Sequence, residues 1–133
     1  MLCYFIKNEN YSLDIYQDNS YKNINTTVQK YLNEKLKNSL TDLASREKVT
    51  KKIFHFEAKI PLFINNNELL MCIKSYRLEK SCYINYFSIK YYYEKDNEII
   101  IEFYENHSLK TQHKYTFYEQ IKRCKQIIEF LNL

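Results

Sequence analysis

The side chains able to do chemistry in this chain are mainly cationic, and they are unevenly placed. Residues 46–92 hold nine Lys/Arg against four acids, whereas residues 1–45 hold five against five and residues 93–133 six against seven. The net charge of +4 is thus concentrated in the central third, where it suits a phosphate backbone or another acidic partner. Only three of the basic residues are arginine: Arg46, Arg77 and Arg123. In a chain drawn toward Lys, Asn, Ile and Tyr, codon bias explains each arginine less well than any lysine. No catalytic or metal set forms. Cys3, Cys72, Cys82 and Cys124 and His55, His107 and His113 lie at no zinc-ligand spacing, and the cysteines read as buried free thiols in a reducing compartment. Glu102 with Glu105, or Glu94 with Glu98, could be paired as acid and base, but nothing separates them from solvated strand and turn charges. The expectation is a non-enzyme with no cofactor and no metal.

Composition excludes further classes. The chain has no glycine in 133 residues, and phosphate-cradling loops and dinucleotide folds need glycine where backbone approaches a ligand or takes a positive φ. It also has 14 tyrosines. The run Tyr91-Tyr92-Tyr93 invites a reading as a stacking platform for single-stranded nucleic acid. Strand alternation, however, sends Tyr92 to the face opposite Tyr91 and Tyr93, and no RRM-type signature surrounds the run. Leu2 to Ile6 has neither the flanks of a signal peptide nor the length of a membrane span. With 45% hydrophobic and 27% charged residues, the reading is one soluble, cytoplasmic domain over residues 1–133.

The elements that must carry these groups follow from periodicity. Leu2–Ile6 and Tyr11–Tyr16 alternate as an opening hairpin. Val28, Leu32, Leu36, Leu40 and Leu43 recur at helical spacing behind a threonine cap at Thr26 or Thr27, which predicts a helix near residues 27–44. Lys52–Ile64 alternates as a strand, with Phe54, Phe56, Ala58, Ile60, Leu62 and Ile64 on one face; Pro61 implies an edge, bulge or bend. Asn65-Asn66-Asn67 predicts a turn, with asparagine taking the left-handed geometry that glycine would supply. Leu69–Ile73, Tyr83–Tyr93, Glu98–Tyr104 and Ser108–Gln112 are further strand runs, two of them joined through Glu94–Asn97. Phe117, Ile121, Cys124, Ile127, Ile128 and Leu131 form the stripe of an amphipathic helix near residues 115–131. The fold class is α+β: mainly antiparallel sheet, an N-terminal hairpin plus a central meander, with these two helices.

One ordered set of positions goes beyond class. Ala44-Ser45-Arg46, Lys59 and Pro61, Ser81-Cys82-Tyr83-Ile84-Asn85, then Phe103, Asn106 and Leu109, and finally Phe117-x-x-Gln120-x-x-Arg123 together resemble the ComK family of bacterial competence transcription factors. The resemblance spans about residues 28–124, with Ser45 and Asn106 or His107 where the family has glycine, Tyr83 for its tryptophan, and Ile73-Lys74 in its Pro-Thr region. It implies a dimeric or higher-order regulator that binds double-stranded A/T-rich DNA, largely through the minor groove, in the nucleoid. On that reading Arg46 enters a groove, Lys48, Lys51, Lys52 and Arg77 contact backbone phosphates, and Arg123 either joins them or pairs with Glu119 and the sheet. The chain stops at Leu133 without the tail by which the family is captured by a protease adaptor, so that partner is not expected. The alternative reading is a non-catalytic interaction module that has lost its DNA contacts. The Ser45-Arg46 corner is where a missing glycine would be felt if the turn needed a positive φ.

Overall fold

The alternating N-terminal run forms β1 (Leu2–Lys7), which pairs with β2 (Leu13–Gln17); β2 in turn pairs with β3 (Ser20–Ile24). β3 had no apolar pattern to announce it, since four of its five residues are exposed. The computed structural model describes residues 1–74 and 80–133, so the expected phosphate contact Arg77 lies outside the described residues. After β3 come helices α1 (Val28–Lys37) and α2 (Leu43–Phe54), then β4 (Leu62–Asn65), β5 (Glu68–Lys74), β6 (Ser81–Asn85) and a single 3-10 turn over Tyr86–Ser88. The chain continues through β7 (Ile89–Lys95), β8 (Glu98–Phe103) and β9 (Ser108–Thr111) to α3 (Lys114–Leu131). The class is α+β and the pairing antiparallel, as the periodicity implied.

Two sheets organise the layers: a six-stranded sheet in the order β3-β2-β1-β6-β5-β4 and a three-stranded sheet β7-β8-β9. A bulge in β1 between Leu2 and Tyr4 lets Cys3, Tyr4 and Ile6 face one side while Leu2 and Phe5 face the other. On the first side they meet Ile99, Ile101 and Phe103 of β8 and Phe117, Ile121 and Cys124 of α3. On the second, Leu13, Ile15, Leu62, Ile64 and Leu70 of the sheet bury Leu32 and Leu36 of α1. The central sheet is therefore covered on both faces, which requires its strands to be apolar in both phases.

Three expectations need correction. The helix expected over residues 27–44 is two helices. α1 is capped by Thr27, whose Oγ1 accepts from Lys30 N–H at 3.2 Å, but it ends in a left-handed residue, Leu40 (φ 58°). There Leu40 N–H bonds Lys37 O at 3.0 Å and Thr41 N–H bonds Leu36 O at 3.3 Å, a closing motif in which glycine is the usual occupant. The strand expected over Lys52–Ile64 is mostly not a strand. α2 runs to Phe54, His55 (φ 59°) and Lys59 (φ 51°) turn the chain, and only Leu62–Asn65 pairs. Phe56 is buried from a loop, so its alternation with Phe54 reflected two separate packing demands. Pro61 stands just before β4, which is an edge strand. The turn at Asn66-Asn67 exists, but Asn65 Oδ1 closes it by accepting from Asn67 N–H at 2.8 Å and none of the three asparagines has positive φ. Nor do Ser45 or Asn106 have positive φ. Ser45 lies in the first turn of α2, so the Ser45-Arg46 corner carries no backbone strain.

Candidate nucleic-acid interface

Four of the six expected DNA-contacting residues, Arg46, Lys48, Lys51 and Lys52, lie on α2, Arg123 lies on α3, and Arg77 is outside the described residues. Asp42 begins the helix: its Oδ1 accepts from Ser45 N–H at 2.7 Å, and that backbone bond holds its carboxyl below the usual carboxylate range. His55 ends the helix with its N–H on Lys51 O at 2.8 Å. Lys51 and Lys52 lie in the last turn, where the helix dipole favours positive charge. Lys48, Lys51 and Lys52 stand at i, i+3 and i+4, on one face. All three are exposed and make no ion pair among the described residues.

The opposite face of α2 is the anchor. Arg46, Val49, Thr50 and Ile53 line a shallow trough of about 220 Å³ with Phe63 of β4 and Phe130 of α3. Arg46, expected to enter a groove, donates from a guanidinium nitrogen to Phe63 O at 2.9 Å and lies 5.8 Å from the Phe63 ring centroid. Ser39 Oγ donates to the neighbouring Ile64 O at 3.1 Å. Together they cover the open backbone edge of β4, which would otherwise be free to pair.

Arg123 faces inward as well. One of its guanidinium nitrogens donates to Ala58 O, and to Lys59 O at 3.2 Å. Its Nε is 3.9 Å from Glu119, and its guanidinium sits 4.8 Å over the Phe56 ring. Gln120, fully buried, donates from Nε2 to Lys59 O at 2.8 Å. Gln120 and Arg123 thus clasp the loop that joins α2 to β4. Sequence reasoning missed this role for Gln120. The signal was its place inside the stripe between Phe117 and Cys124, where an amide must find a buried partner.

A similar role falls to Asn85, which is fully buried. Its Nδ2 donates to Leu2 O at 2.8 Å and Asn67 O at 2.9 Å, while its Oδ1 accepts from Leu69 N–H at 3.1 Å and Phe87 N–H at 3.2 Å. One side chain therefore ties β1, the β4–β5 turn, β5 and the turn after β6. Phe103, Leu109 and Phe117 are core. A family model described as ComK protein matches residues 1–132. The chain belongs to the ComK family. It is accordingly a regulator of the competence transcription factor type. No curated protein and no solved structure matches it. In this ComK-family chain the spaced landmarks Asn85, Phe103, Leu109, Phe117, Gln120 and Arg123 build and brace the scaffold, while Lys48, Lys51 and Lys52 of α2 are exposed to solvent.

Other chemistry is sparse. All four cysteines are free. Cys3, Cys82 and Cys124 are buried and Cys72 partly so, and burial pushes the Cys3 thiol up to about 12, far from thiolate reactivity. No group of three His, Cys, Asp or Glu side chains is placed to hold a metal among the described residues. None of the described helices is long and apolar enough to cross a membrane. Tyr91 and Tyr93 stack at 6.0 Å on one face of β7, and Tyr92 packs edge-on against Phe117 at 5.0 Å on the other, as strand alternation required.

Proposed function

We propose that this chain is a non-enzymatic, DNA-binding transcriptional regulator that engages A/T-rich duplex, with the Lys48, Lys51 and Lys52 face of α2 on the phosphate backbone. The observation that carries the reading is that exposed, unpaired cationic face on a member of the ComK family. α2 holds Arg46, Lys48, Lys51 and Lys52 against Glu47 alone. Lysines at i, i+3 and i+4 present ammonium groups along one line, which suits successive phosphates. A narrow A-tract groove concentrates negative potential and rewards cations placed beside it. Arg46 and Arg123 act on this reading as positioning residues: one fixes α2 to the edge of β4, the other fixes the loop that follows.

The engagement of Arg46 by Phe63 favours a second reading, an interaction module without productive DNA contacts. Fluorescence anisotropy with labelled A/T-rich and G/C-rich duplexes at near-physiological salt separates the two. The regulator reading expects a dissociation constant well below about 1 µM for A/T-rich duplex and weaker binding to G/C-rich duplex. Micromolar or weaker affinity without preference would overturn it and leave the interaction module.

A further inference from the structure

β7 is an open edge of the three-stranded sheet, exposed from Lys90 to Lys95 and paired only with β8. Asp96 and Asn97, with φ of 52° and 65°, close a two-residue turn, so Lys95 and Glu98 exchange the closing hydrogen bonds. Alternation from there turns the N–H and C=O of Tyr92 and Glu94 away from β8, where no described backbone group meets them. Regular pairing stops at Tyr91, because the ladder bulges between Ile89 and Tyr91.

On the face to which Tyr92 points, α3 forms the second wall of a groove beside this edge. Tyr92 packs edge-on against Phe117 at 5.0 Å, and two adjoining hollows of about 360 and 380 Å³ share Tyr92, Ile121 and Lys125. Lys90 lines the first and Lys122 the second. Lys90, Lys122 and Lys125 are all exposed and form no ion pair among the described residues. Against these three cations the lining holds one acid, Glu129. Toward the turn the sign reverses at Glu94, which is held by the Tyr118 hydroxyl and by Lys114 at 3.6 Å. The other face of β7 carries the exposed, stacked rings of Tyr91 and Tyr93.

We propose that the groove between β7 and α3 docks an extended, acidic segment of another protein, which adds to β7 as an antiparallel strand. Donors and acceptors turned outward at alternate residues select a peptide backbone, which alone can complete the ladder. The segment's residue opposite Tyr92 exchanges both backbone bonds with it and sends its side chain over the groove, where a carboxylate meets Lys122 and Lys125. The residue two further along lies past the ladder, at the end of the groove that Lys90 lines, and is acidic for the same reason. Residues opposite Tyr93 and Tyr91 fall on the other face, where apolar side chains cover the two rings. An acid opposite Glu94 would be repelled, so a cation belongs there. From its N-terminus the segment therefore reads cation, apolar, acid, apolar, acid. This site uses none of the lysines of α2, and the proposal does not rest on the DNA reading.

The test is fluorescence anisotropy of the full chain, without DNA, with a labelled, end-blocked peptide containing Lys-Val-Asp-Val-Asp. Saturable binding is expected. N-methylation of the first Asp, whose N–H donates to Tyr92 O in this register, is expected to weaken binding at least about tenfold, while N-methylation of either Val, whose N–H points away from β7, has little effect. The double variant Lys122→Glu, Lys125→Glu is expected to lose at least about tenfold in affinity. A peptide with both Asp replaced by Lys should then bind that variant more tightly than wild type, which a misfolded variant would not do. No saturation by about 1 mM peptide, equal loss on methylating Asp or Val, or an affinity indifferent to the double variant would overturn the proposal and leave duplex binding through α2 untouched. Duplex that displaces the peptide even from the Lys48→Ala, Lys51→Ala, Lys52→Ala variant would overturn it too, by giving the groove to nucleic acid.

Discussion

Leu40 shows what a chain without glycine must do at a residue that needs left-handed backbone. It is one of eight described residues with positive φ, alongside Tyr11, Asp18, His55, Lys59, Asp96, Asn97 and Asn132. Left-handed geometry costs a residue with a Cβ about 1–2 kcal/mol, and Leu40 has no packing to offset it, being 96% exposed. Leu40→Gly should therefore stabilise the protein by about 0.5–1 kcal/mol once the extra freedom of glycine in the unfolded chain is subtracted; urea denaturation measures it. Asn85→Ala should act in the opposite direction, by about 2–4 kcal/mol, because it strands several buried backbone groups at once. Arg123→Ala removes the clasp on Ala58 and Lys59 and should cost about 1–2 kcal/mol in the same assay. If Arg123 braces the loop rather than touching DNA, the variant keeps the wild-type salt dependence of binding.

At the scale of elements, α2 is the part of the fold on which function was hardest to foresee. Its start is set by Asp42, whose carboxyl has a folded pKa below its unfolded value. The cap's contribution is therefore complete above the unfolded pKa near 3.9 and is lost as pH falls through the lower folded value. Acid titration of helicity should show a component below about pH 4 that disappears in Asp42→Asn, which caps without titrating. Most strands and α3 were legible from apolar runs or a buried stripe. β3, exposed at four of its five residues, was not, and the run expected over Tyr83–Tyr93 is broken by the 3-10 turn into β6 and β7, which lie in different sheets. α2 was not legible either, for two physical reasons. The stop after α1 is written in Leu40 and the stop after α2 in His55, so neither carries the glycine that marks a helix end. The residues beyond α2 also alternate by accident, since Phe54 lies on the helix and Phe56 in a clasped loop. The candidate site was legible only as a list of cations. That Lys48, Lys51 and Lys52 share a free face while Arg46 turns inward depends on the region being helical, and a strand reading would have dispersed them.

For the whole molecule, the central sheet divides two cores, and α3 closes one of them through Phe117, which is completely buried. Phe117→Ala should cost about 3–5 kcal/mol and weaken DNA binding only through loss of folded protein. The residues that mark the family hold these layers together, and the charge proposed to meet DNA lies on a solvent-facing helix surface that the scaffold presents. The most direct test of that division is the salt dependence of duplex binding by wild type and by the triple variant Lys48→Ala, Lys51→Ala, Lys52→Ala, with circular dichroism confirming that both are folded. If the three lysines each neutralise a phosphate, the slope of log K against log salt falls in magnitude by about 2.7 in the variant, from roughly 0.9 per contact; an unchanged slope and affinity would contradict the assignment of α2 as the DNA-facing element.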